Sequence, residues 1–107
     1  MSNSGLTPYQ DEVLTILNEE CGEVVQEICK IMRFGINSRH YHHNNIHWEN
    51  LEQELGDILA CIDMVKHANI GITEDGLEAA KQRKLEKVVK WMKHMPPQEV
   101  ALDQTWI

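Results

Sequence analysis

A chain of 107 residues is long enough for one domain with a modest core, and 17 acidic against 10 basic residues leave a net charge of −7. That balance argues against a partner that is a nucleic acid polymer. No apolar run reaches the ~18 residues of a membrane span, and the opening MSNSGLTP is polar and short, so a cytoplasmic protein without a membrane partner is expected.

The first predicted helix opens at Thr7-Pro8-Tyr9-Gln10, a capping box with proline at the first helical position. Val13, Leu17, Cys21, Val24, Ile28 and Ile31 recur at steps of four and three and predict an apolar stripe ending near Met32, before Gly35. Glu20, Glu23 and Glu27 form an acidic stripe beside it. The connection that follows, residues 33–47, is rich in histidine. His40, His42, His43 and His47 include H-x-x-H and H-x-x-x-H spacings, but structural zinc sites seldom use four histidines without cysteine. A surface loop or a lid over a nucleobase remains, and Asn37, Tyr41, Asn44, Asn45 and Trp48 have the amide and ring groups that base recognition uses.

The second helix is expected to begin between Asn45 and Asn50, to carry Trp48, Leu51, Leu55, Ile58, Ile62 and Val65 on one side, and to stop near Gly71. Thr73 caps a third, with Glu74 and Asp75 at its positive end, and Leu77, Leu85, Val88 and Met92 run toward Pro96-Pro97. The tail, residues 96–107, carries Val100, Leu102, Trp106 and Ile107, and docking on its own subunit or a neighbour is expected. No alternation supports a sheet, so the fold class is all-α, one domain over 1–107. Cys21, Cys29 and Cys61 lack C-x-x-C spacing, lie among apolar residues, and read as buried free thiols.

The chemistry is concentrated in EECGE at 19–23 and ELGD at 54–57. Glu20 with Glu23, and Glu54 with Asp57, are each one helical turn apart and so share a face. Two facing helices would converge four carboxylates, an all-oxygen anionic set suited to Mg²⁺ or Mn²⁺ rather than zinc. Spacing alone leaves a solvated acidic face equally open. A carboxylate di-iron bundle would need Glu-x-x-His, and no histidine of the chain has glutamate three positions before it.

EECGE followed by ELGD resembles the E-E-x-x-E and E-x-x-D signature of the MazG-like nucleoside triphosphate pyrophosphohydrolases, relatives of the all-α dUTPases and dCTPases. The resemblance runs from the first helix through the basic third helix, and the long His-rich connection departs from the family pattern. It implies Glu20, Glu23, Glu54 and Asp57 as metal ligands, with Glu19, the remaining acid of the motif, placed to hold the attacking water or a basic partner. It implies conversion of a nucleoside or deoxynucleoside triphosphate to monophosphate and pyrophosphate, for house-cleaning or nucleotide-pool adjustment.

On the third helix, Lys81, Arg83, Lys84 and Lys87 are candidates for the phosphates, since metal neutralises a triphosphate only in part. The resemblance agrees, because the family carries bases on the helix after E-x-x-D. Three long apolar stripes and an apolar tail exceed what a three-helix unit hides, so a homodimer or homotetramer completing a four-helix type of bundle is expected. The resemblance again points to paired subunits. The alternative is a non-catalytic helical interaction module using the acidic stripe or the tail.

Overall fold

A computed structural model of the chain describes residues 3–39 and 45–94. Helix α1 spans Pro8–Phe34, α2 His47–Lys66 and α3 Glu74–Trp91. No strand occurs among the described residues, where an isolated bridge joins Arg39 to Ile46. The fold is all-α, as expected. The residues divide into two units, Met1–Gly71 with α1 and α2, and Ile72–Ile107 with α3.

The start of α1 follows its sequence. Thr7 Oγ1 accepts from the Gln10 amide at 3.2 Å, and Gln10 Oε1 accepts from the Thr7 amide at 3.0 Å. Two orphan donors are thereby satisfied, and Pro8 has no amide to leave unpaired. Gly35 ends the helix at φ 103°, its amide donating to Ile31 O at 2.8 Å. That φ is open to glycine without steric cost.

Helix α2 stops earlier than expected, at Lys66 rather than near Gly71. Residues 67–70 turn instead, with Asn69 at φ 59° and Gly71 at φ 97°. Asparagine tolerates the left-handed region, and α1 rewards the turn: Gln10 Nε2 donates to Ala68 O at 2.8 Å and to Asn69 O at 3.3 Å. The capping glutamine therefore also fastens the far end of α2. Helix α3 is capped by Thr73, whose Oγ1 accepts from the Gly76 amide at 3.0 Å. It ends at Trp91, short of Pro96-Pro97, and buries no side chain among the described residues. The tail lies outside the described residues.

Helices α1 and α2 pack against each other along one seam. At its N-terminal end on α1, Val13, Val65 and Ala68 are buried, with Leu14, Leu17, Met64 and Ile70 packed around them. Farther along, the more buried positions of α1 are Leu17, Glu20, Val24, Glu27 and Ile31. Those of α2, read backward, are Cys61, Ile58, Glu54, Leu51 and His47. Steps of four and three on both helices are the spacing of a heptad seam.

This corrects the apolar stripes read from the sequence. Glu20 and Glu27 take the seam places expected of Cys21 and Ile28, which are exposed. On α2, His47 and Glu54 take those expected of Trp48 and Leu55, while Ile62 stays half-buried beside buried Cys61. One residue is about 100° around a helix, so each swap rotates an apolar side chain off the seam. Because the helices run antiparallel, the displaced residues share one flank of the pair. There Val25, Met32 and Leu59 are 59, 83 and 66 % exposed. Buried thiols were also expected throughout, yet only Cys61 is buried; Cys21 and Cys29 are exposed.

Candidate metal centre

Glu20 sits two turns beyond Val13 on α1, and Glu54 lies two turns before Cys61 on α2. The seam therefore brings both carboxyls to the same level. Asp57, one turn beyond Glu54, reaches it from the solvent side. One carboxylate oxygen from each of Glu20, Glu54 and Asp57 can be chosen so that all three lie within 4.8 Å of one another. Glu20 and Glu54 are half-buried and Asp57 is exposed.

Glu23 stands outside that group and is exposed. Its charge still acts on Glu54, which places it near the site's rim. Glu19 is exposed on the same acidic flank. The combination of half-burial and crowding is visible in one titration. Burial first, then a carboxyl–carboxyl hydrogen bond with Glu20 and the charges of Glu20, Asp57 and Glu23, push the Glu54 carboxyl above its ordinary value. Cys61, one turn beyond Asp57, is also pushed up, by burial and then by Glu20, Asp57 and Cys21. A thiol held protonated and covered is a poor nucleophile.

The donor set fits a divalent cation. Three carboxylates facing one small volume supply hard oxygen ligands, and their mutual repulsion is what a cation would relieve. Half-burial of two of them leaves Asp57's side open to water and to a phosphate oxygen.

The cationic candidates Lys81, Arg83, Lys84 and Lys87 are exposed on α3, in the second unit. Lys81 faces Glu78 at 3.9 Å, one turn back on its own helix. Lys84 and Lys87 line a cleft of about 260 Å³ with Val88 and Trp91. Trp91, 76 % exposed, was not singled out from the sequence. An aromatic at the end of an otherwise basic face was the signal available there.

Of the candidates for base contact, Asn37, Asn45 and Trp48 are exposed residues flanking the connection between α1 and α2. Tyr41 and Asn44 lie outside the described residues, as do His40, His42 and His43. The fourth histidine of the weighed zinc set, His47, is buried on the seam against Glu27. Among the described residues no group of three histidine, cysteine or carboxylate ligands other than the acid trio converges.

A family model described as the MazG nucleotide pyrophosphohydrolase domain matches residues 9–95. That range contains α1, α2 and α3 save for Pro8. No curated protein and no solved structure gives a significant match.

Proposed function

Since the chain belongs to the MazG nucleotide pyrophosphohydrolase domain family, we propose that it is a Mg²⁺-dependent enzyme that hydrolyses a nucleoside or deoxynucleoside triphosphate to monophosphate and pyrophosphate. Mn²⁺ is the natural substitute. The observation that carries this reading is the convergence of Glu20, Glu54 and Asp57 within 4.8 Å from facing turns of two helices.

Bound Mg²⁺ would supply Lewis-acid polarisation of the phosphoryl group and offset charge on the departing pyrophosphate. Glu20, Glu54 and Asp57 hold it, and Glu23, whose charge reaches Glu54, completes the ligand set when its side chain turns inward. Glu19, exposed on the acidic flank, orients water or holds a basic partner. Lys81, Arg83, Lys84 and Lys87 bind the phosphates. Lys84 and Lys87 do so from a cleft already shaped by Trp91. Asn37, Asn45 and Trp48, with Tyr41 and Asn44 of the connection, face the base.

The working form is a homodimer or homotetramer. The exposed flank bearing Val25, Ile28, Met32, Leu55 and Leu59 supports this, because so many apolar side chains on one side of a helix pair mark a contact surface. The protein acts in the cytoplasm, as one domain over 1–107 with an apolar tail. No helix among the described residues is long and apolar enough to cross a membrane.

The test is a screen of common and modified triphosphates with Mg²⁺, measuring monophosphate and pyrophosphate separately. Paired release of the two, abolished by Glu54→Ala, is expected. Release of orthophosphate alone, or no turnover of any triphosphate, would overturn the reading.

A further inference from the structure

The buried polar side chains among the described residues are Glu27 and His47, 8 % and 3 % exposed. They meet across the seam, His47 Nδ1 lying 3.6 Å from Glu27 Oε2. That distance is past a hydrogen bond, and the two side chains form an ion pair only when the imidazole is protonated. Lys30 Nζ donates to the other carboxylate oxygen, Glu27 Oε1, at 3.2 Å. The Phe34 ring stacks on the His47 imidazole at 6.2 Å between centroids and 18° between planes, and the Arg33 guanidinium carbon lies 5.2 Å from the centroid of the same Phe34 ring. The His47 amide donates to Ser38 O at 3.0 Å, which ties the first turn of α2 to the chain leaving α1.

Burying a carboxylate costs several kcal/mol unless its partners are in place. With α2 seated, each group is covered by the other, so removing either one leaves its partner buried without that counterpart and loosens this end of the seam. The position matters as much as the contact. Val13, Glu20 and Glu27 are spaced seven residues apart, so Glu20 has a fastening about 10 Å away on each side. On one side is the core of Val13, Val65 and Ala68 with the Gln10 bonds to the turn that follows α2. On the other is the Glu27–His47 contact. Between them stand like charges that push the two helices apart. Buried Cys61, one turn beyond Asp57, borders that stretch on the side of the core.

We propose that Glu27 and His47 are positioning residues of the metal centre: they clamp α2 to α1 and hold Glu20 against Glu54 and Asp57 at the separation a divalent cation needs. This rests on the metal reading above.

The test compares His47→Ala and Glu27→Gln with Thr7→Ala, a substitution that loosens the distant cap. All three are made in a Cys21→Ser, Cys29→Ser background, leaving Cys61 as the single thiol. Two quantities are measured without nucleotide, at temperatures where each variant keeps its helicity. One is the Mn²⁺ dissociation constant and the other is the rate at which a thiol reagent labels Cys61. Both clamp variants should weaken Mn²⁺ binding at least tenfold and label at least tenfold faster, while Thr7→Ala stays within twofold of the parent in both. Unchanged Mn²⁺ affinity in the clamp variants would overturn the proposal, as would unchanged Cys61 protection or equal effects from Thr7→Ala. If the parent itself binds no Mn²⁺, the metal reading fails, and the thiol rates alone decide whether the clamp exists.

Discussion

Glu54→Gln offers a sharp view of the acid trio because its effect on stability should change sign with metal. Without a cation, Glu54 faces Glu20 and Asp57 with oxygens within 4.8 Å. Two unit charges at that distance repel by about 0.9 kcal/mol in water and about 3.5 kcal/mol at an effective dielectric of ~20. Asp57 is exposed and the other two are half-buried, so the value near water applies. Two such pairs give about 2 kcal/mol, part of which Glu54 already escapes through its raised pKa. An amide at the same place should therefore stabilise the metal-free protein by about 1 kcal/mol, roughly 4–8 °C in Tm for a chain of this size. Saturating Mg²⁺ should reverse the order, because at 100 times its Kd a cation adds about 2.7 kcal/mol to the parent alone. The assay is thermal unfolding followed by circular dichroism at pH 7.5, in EDTA and in a Mg²⁺ series, at one protein concentration. A Gln variant that melts below the parent in EDTA, or that gains as much from Mg²⁺, would refute the crowding argument.

Other outcomes follow from the same geometry. Glu54 titrates above its unfolded value of 4.5, so it favours the folded apo protein below about that pH. That contribution should fade as pH rises through the raised pKa, and the gain from Mg²⁺ should grow over the same interval; unfolding scans between pH 4 and 7 read both. Asp57→Ala should abolish most turnover while leaving helicity intact, checked by pyrophosphate release beside circular dichroism. Gly22 and Gly56 lie in helices with open space where a Cβ would go, so alanine at either should raise stability by about 0.5–1 kcal/mol. A denaturant midpoint that falls instead would show that a neighbour covers that side. Subunits carrying Glu54→Ala and Lys84→Ala should restore some activity when mixed if the site is shared between chains, and sedimentation should show no fully active monomer.

The helices were legible because their signals are local. Thr7-Pro8-Tyr9-Gln10 and Thr73 mark two starts by hydrogen bonds made within four residues. The end of α2 was less so: the chain turns at Asn69, and the carbonyls of Ala68 and Asn69 accept from Gln10, 58 residues from Ala68 in sequence. The acid trio was visible as two one-turn pairs, but their phase was not. Period counting prefers Cys21, Ile28 and Leu55 for the seam because they are apolar. The folded chain instead turns Glu20, Glu27 and Glu54 toward it, where charge partners and a crowded carboxyl site take the place of hydrocarbon. Hydrophobicity measures what a residue would gain in oil, and it carries no information about a partner supplied from another helix. The Glu27–His47 contact joins an acidic stripe to a histidine counted with the loop, so neither half was informative alone.

The seven-residue spacing of Val13, Glu20 and Glu27 has a consequence for how such chains can vary in length. Core, carboxyl site and clamp are set along a single uninterrupted helix, Pro8–Phe34. Inserting one residue between any two of them would rotate everything beyond it by about 100° and advance it by about 1.5 Å. The clamp would then leave the seam even if every side chain were kept. Insertions and deletions should be confined to the connection between Gly35 and Ile46 and to the turn at 67–73, while α1 tolerates exchange of residues far better than a change in their number. A scan of single-residue insertions, scored for folding and for turnover, should show a long forbidden stretch bounded by two permissive ones.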